Sequence, residues 1–162
     1  MKLVFATLFI AVIGLGCNTS KQSAENQTNE TQSEQSDFYL RIERTPCFGA
    51  CPTDVLTVRN KELSYEGIRH VERMGRYTAE LTDGQLEVLR QRFEKLNFFD
   101  FQDEYDASVS DLPSTIIEVT VNDSTKKVIN RYMGPQELKS FEIWVFSYVD
   151  KLSWTPVEDV DE

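Results

Sequence analysis

Positive charge is the first thing this sequence lacks: 17 Lys and Arg stand against 27 Asp and Glu, a formal net charge of -10 over 162 residues. Nucleic-acid binders need a net or local basic surface to neutralise phosphates, so that class is set aside. Histidine is nearly absent. His70 is the only one, and with three cysteines in the chain a zinc site built from Cys47, Cys51 and His70 lacks an obvious fourth ligand. No Gly-x-Ser-x-Gly nucleophile elbow occurs. Long apolar runs are missing as well: Leu3 to Gly14, broken only by Thr7, covers roughly 12 residues, and a stable membrane span needs about 20. Residues 18–36 contain no aromatic and no branched aliphatic side chain. They cannot bury enough surface to offset the entropy of ordering and are expected to form a disordered tether.

What is present sorts into an address and a domain. Met1 and Lys2 precede the short apolar run as the charged head of a signal peptide would. Leu15-Gly16-Cys17 resembles the lipobox of bacterial lipoproteins, in which the peptide is cut before a cysteine whose thiol then carries a diacylglyceryl group. That resemblance implies a signal peptide over 1–16 and lipidation of Cys17. The tether 17–36 would leave the rest of the chain close to its membrane, with an r.m.s. reach of about 25 Å. The alternative is an ordinary signal peptide and a soluble secreted product. Asn18, Asn26 and Asn29 match the glycosylation sequon, and behind a bacterial lipobox they read as accidents of an Asn/Thr-rich linker.

Residues 37–162 hold 51 of the 65 apolar residues and 16 of the 18 aromatics, enough for a hydrophobic core in one domain. Period-two alternation over Phe38–Glu43, Asp54–Arg59 and Leu63–Glu66 reads as strands, with a tight turn at Asn60–Glu62. Gly67 permits a turn or bulge, and Ile68 to Leu81 is long enough for a bent strand or two short ones around Gly75. Thr82–Asp83 then caps a helix carrying Leu86, Leu89, Phe93 and Leu96. After Pro113, segments 115–122 and 126–133 read as a second hairpin. Pro135 opens a helix with Leu138, Phe141, Val145, Val149 and Leu152 on one face. The expectation is an α+β domain over 37–157: an antiparallel sheet of about six strands, in the order ββββαββα, with two helices packed on one face. An acidic tail, 158–162, follows.

Thr45-Pro-Cys-Phe-Gly-Ala-Cys-Pro52 is the most distinctive stretch. Two cysteines flank three residues, prolines restrict the backbone on both sides, and Gly49 can take a positive φ. An exported chain meets oxidising conditions, and once Cys17 is lipidated Cys47 and Cys51 remain as an even pair, so a disulfide is the leading expectation. Its chain-entropy contribution is about 2 kcal/mol, and its main use is to fix the loop's shape. A redox role is the competitor. Thiol exchangers, however, use a spacing one residue shorter at a helix N-terminus, and strand follows here.

Arg69, His70 and Arg73 lie in Arg69-His-Val-Glu-Arg-Met-Gly-Arg76. Read as strand, Arg69, Val71 and Arg73 share one side, either as a solvated face or as a basic patch for an anionic partner. Asp100, Asp103, Glu104, Asp106 and Asp111 fall partly into a calcium-loop frame. Tyr105 replaces its turn glycine and Asp111 its bidentate glutamate, so a solvated loop is expected. No metal or cofactor is expected.

The cysteine stretch, with Leu63-Ser-Tyr-Glu-Gly67, Gly75-Arg-Tyr-Thr78, Ser110-Asp-Leu-Pro-Ser-Thr115 and Tyr132-Met-Gly-Pro135, resembles a family of small bacterial lipoprotein domains of unknown function. Asp54 departs from the aromatic residue that this pattern leads one to expect after Cys-Pro. The resemblance implies a membrane-anchored, extracytoplasmic domain with a fixed cysteine loop, and no catalytic residue or cofactor comes with it. The expected function is a non-enzymatic interaction domain in the bacterial envelope, on the outer membrane. Its candidate contacts are Phe48, Gly49, Ala50, Arg69 and Arg73, and its partner an envelope protein or an anionic ligand. A thiol-disulfide factor or another enzyme using the cysteine loop is the alternative. The acidity lies partly at the ends: residues 37–157 carry 15 basic and 20 acidic side chains, leaving room for a basic contact on the fold.

Overall fold

Phe38, Leu40 and Ile42 are buried while Tyr39, Arg41 and Glu43 between them are only partly so, the signature of a strand with one face on a core. The computed structural model describes residues 37–106 and 111–158, which fall within one unit, Glu34–Glu162. The signal segment, Cys17, the polar stretch 18–36 and residues 159–162 of the acidic tail lie outside the described residues.

The strands are β1 (Phe38–Arg44), β2 (Thr53–Arg59), β3 (Glu62–Arg69), β4 (Gly75–Glu80), β5 (Glu104–Tyr105), β6 (Thr115–Val121), β7 (Ser124–Asn130) and β8 (Thr155–Pro156). The helices are α1 (Asp83–Glu94) and α2 (Gln136–Val149). One open sheet runs β5-β7-β6-β1-β2-β3-β4-β8. The class is α+β, but among the described residues the sheet has eight strands rather than about six. The two extra strands are two-residue edge segments. β5 joins β7 in parallel out of the acidic stretch expected to be a loop, and β8 pairs with β4 after α2. Neither is long enough to show periodicity.

Cross-strand register places Leu40 beside Val58 and Val119, and Ile42 beside Leu56 and Ile117. Leu63 and Tyr65 extend these two rows onto β3. Leu86, Leu89 and Phe93 of α1 and Leu138, Phe141, Val145 and Val149 of α2 share the core with them. The first helix is stopped at its start by a capping box, in which Thr82 Oγ1 accepts from Gln85 N and the Gln85 side chain accepts from Thr82 N. Pro135 stands at the cap of α2 rather than inside its first turn. The second hairpin turns at Asn122 and Asp123, both at positive φ (48° and 64°), with Val121 paired to Ser124. This is the two-residue connection matched to strand twist, one residue earlier than the sequence suggests.

The region after Gly67 also differs from expectation. β3 continues through Gly67 to Arg69, with a bulge where Thr53 pairs with Arg69 and Asp54 with Gly67. The chain then turns, His70 taking φ 56°, before β4 starts. Arg69 and Arg73 therefore do not alternate along one strand. Among the described residues no helix is long and apolar enough to cross a membrane.

Candidate functional site

On the helix-covered face the apolar rows give way to a polar one at one end of the sheet. Register aligns Asn130, Thr115, Arg44, Asp54, Gly67 and Gly75 across β7, β6, β1, β2, β3 and β4. Asp54 is fully buried and holds this row together. Arg44 Nε donates to Asp54 Oδ1 at 2.7 Å, its Nη2 donates to Oδ2, and the Tyr65 hydroxyl donates to Oδ2 at 2.8 Å. A buried carboxylate requires partners of this kind, and the two-point guanidinium pair is the strongest available. Burial first, then the bond to Asp54 and its negative charge, push the Tyr65 hydroxyl well above the ordinary tyrosine range, so it remains a proton donor. Arg44 lies 4.0 Å from the centre of the Phe146 ring on α2. Asp54 thus fills, with polar bonds, the place where an aromatic residue was expected.

The cysteine loop leaves the sheet at this row. Arg44 and Asp54, paired across its base, close it once, and the Cys47–Cys51 disulfide, with Cα atoms 5.7 Å apart, closes it again. Thr45 N donates to Ser114 O at 2.9 Å and Ser114 N to Thr45 Oγ1 at 2.8 Å, tying the loop to the start of β6. At the tip Gly49 and Ala50 are exposed, and Phe48 is 91% exposed. Gly49 does not use the positive φ open to it; among the described glycines only Gly75 does.

The third wall is the turn between β3 and β4. A Cβ on Gly67 would sit 1.8 Å from the Arg73 carbonyl oxygen, so the turn can fold back only over a glycine. Arg69 and His70 are exposed. Arg73 is half-buried, with both terminal nitrogens 3.3 Å from Asp150 Oδ1 and its Cζ within 5.9 Å of the rings of Tyr65, Tyr77 and Trp154. Arg73 therefore leaves the loop tip and Arg69 to themselves. Between these walls lies a cleft of about 360 Å³ touching Arg44, Asp54, Tyr65, Glu72, Arg73 and Trp154. Among the described residues no group of three or more His, Cys, Asp and Glu is placed to hold a metal. Asp103 instead pairs with Lys126 at 2.9 Å.

Residues 38–149 match the family described as Domain of unknown function (DUF6438). The chain belongs to that family. No curated protein matches it. In this member the matched span includes the cysteine loop, Arg44, Asp54, Tyr65 and Arg73, while Asp150 and Trp154 follow directly after it. Sequence reading identified the loop but missed Asp54, Tyr65 and Trp154. Asp54 at the first inward position of an alternating strand was the available signal, since a carboxylate there must find a partner.

A second polar node lies at the far side of the same row. Asn130 Nδ2 donates to Glu142 Oε1 at 2.7 Å, and Glu142 is 9% exposed on α2. Burial raises its carboxyl above the ordinary value, against the pull of hydrogen bonds from Asn130 and Thr115 and the charge of Lys139. Gly134 leaves space for Asn130, whose Oδ1 would lie 2.1 Å from a Cβ there.

Proposed function

We propose that this protein is a lipid-anchored envelope protein whose domain is a non-enzymatic binding module, with the cysteine loop as its contact surface. Phe48 carries the reading. A phenylalanine 91% exposed at the tip of a disulfide-closed loop costs solubility, and aromatic anchors of this kind supply binding energy when a partner buries them. The loop is held in shape before contact by the disulfide, by the Arg44–Asp54 pair and by Ser114, which lowers the ordering cost of binding.

The placement of the loop supports an anchored role. The chain enters the domain at Phe38, and β1 carries it about 20 Å, at roughly 3.3 Å per residue, to Arg44 and the loop. A tether attached through Cys17 would hold one end of the sheet and leave the other free, on the periplasmic or surface side of the outer membrane. The contacted species is then an envelope protein with an apolar pocket for Phe48. An anionic ligand is less favoured, because Arg73, one of its two candidate cations, turns its guanidinium toward Asp150 and three rings rather than toward the loop tip. The redox alternative finds little support, since Cys51 leads through Pro52 into strand β2 and not into the helix N-terminus that thiol exchangers use.

The test is crosslinking of envelope partners in cells, with wild type and Phe48→Ala compared. Loss of a discrete partner from a normally folded variant supports the reading, and an unchanged set of partners overturns it. Replacing Cys17 by serine should release the protein from the membrane fraction, and retention there would contradict the anchor.

A further inference from the structure

We propose that Tyr65, Tyr77 and Trp154 form a seat for a guanidinium group, occupied by the chain's own Arg73 and open in exchange to an arginine side chain of a partner. The proposal goes beyond the loop reading and stands independently of it. Arg73 Cζ lies 5.5 Å from the Trp154 ring centre, 5.8 Å from that of Tyr77 and 5.9 Å from that of Tyr65. A cation within about 6 Å of an aromatic face is attracted by the ring quadrupole, and here rings from β3, β4 and the segment before β8 converge on one group.

The seat is built without help from its occupant. The Tyr65 hydroxyl is fixed by Asp54 at 2.8 Å. Trp154 Nε1 donates to Val149 O at 3.0 Å, and the next residues, Thr155 and Pro156, pair with Thr78 and Tyr77. Tyr65 and Trp154 rings meet at 57° with centres 5.8 Å apart, which makes a corner rather than a flat platform. Such fixed walls bind with little ordering cost. The charge around them suits a cation: with Asp54 paired to Arg44, the cleft is bordered, apart from Arg73, by Glu72 and Asp150 beside His70. The cleft of about 360 Å³ opens beside the seat, lined by Tyr65, Trp154 and Arg73 itself but not by Tyr77.

Arg73 is held as an exchangeable occupant would be. It rises from the turn between β3 and β4, and its carboxylate partner Asp150 is 62% exposed, so that pair is weak. The Arg73 carbonyl packs over Gly67, so the backbone of the turn has a contact of its own, separate from the seat. Self-occupancy lowers the apparent affinity for an outside guanidinium by the fraction of time the seat is filled.

The experiment titrates the full-length protein with methylguanidinium chloride at matched ionic strength. It follows Trp154 fluorescence in a Trp144→Phe background, with and without Arg73→Met. The expected result is a saturable change at a concentration about 10-fold or more lower in Arg73→Met than with Arg73 present, and lost in Trp154→Leu, where the tyrosine signal is followed instead. No saturable change in Arg73→Met, or the same midpoint with and without Arg73, overturns the proposal. Equal or tighter binding of tetramethylammonium overturns the guanidinium assignment. Should Arg73→Met fail to fold, the Arg73 Nε–H resonance of the wild-type protein decides: it should move saturably with methylguanidinium, and a fixed resonance overturns the proposal.

Discussion

Tyr65 donates its hydroxyl to Asp54 at 2.8 Å across adjacent strands, beneath the loop that Cys47 and Cys51 close. The bond makes the buried carboxylate a three-bond acceptor and links the base of the loop to the wall of the cleft. Removing either partner should therefore be felt at both places. Asp54→Ala leaves Arg44 without its partner and is expected to cost about 3 kcal/mol, the lower end for a broken buried pair because Arg44 retains some solvent. Tyr65→Phe is expected to cost about 1–2 kcal/mol. Urea denaturation checks both through the midpoint, with the slope unchanged.

The same bond gives a pH dependence. The folded-state pKa of Tyr65 is raised above its ordinary value of 10.0, so the folded state keeps a proton that the unfolded chain loses. This contribution is fully present below pH 10 and is lost as pH rises further. Stability measured from pH 9 to 11 should fall less steeply in Tyr65→Phe than in wild type.

Glu142 shows the same sign in the acid range. Its folded-state carboxyl is raised above 4.5 by burial, so its contribution is fully present below pH 4.5 and is lost as pH rises through the folded value. Above pH 4.5 the burial that resists its ionisation counts against the folded state. Glu142→Gln keeps an oxygen for Asn130 and should be more stable than wild type at pH 7, with the difference shrinking toward pH 4. Thermal melts at the two pH values check it.

Two glycines give a paired test. Gly67→Ala drives a Cβ to 1.8 Å from the Arg73 carbonyl oxygen and should cost about 1–3 kcal/mol as the turn is displaced. Gly49→Ala meets nothing closer than the Cys47 sulfur at 3.8 Å and should leave the melting temperature nearly unchanged.

These positions also show what the chain made legible. Strands β1, β2, β6 and β7 and both helices announce themselves by apolar periodicity, because one face of each meets the core. The reading failed where a tertiary contact decides. Gly67 reads as a site for a turn or bulge, and a bulge is there, but that the turn after Arg69 folds back over it was not legible. Glu104 and Tyr105 read as part of an acidic loop, yet their backbone completes the sheet edge through β7. The loop residues Cys47, Phe48 and Cys51 were visible as a motif. The cleft was not, since Asp54, Tyr65, Arg73 and Trp154 meet only through register and a returning C-terminal segment.

The central claim is that the tip of the cysteine loop is the surface this domain presents. A photo-reactive side chain placed at position 48 of the protein in living cells tests it most directly, with position 57 on the solvent face of β2 as the reference. The account predicts a discrete adduct at position 48 that is absent at position 57. No adduct at 48, or the same adducts at both positions, would contradict it.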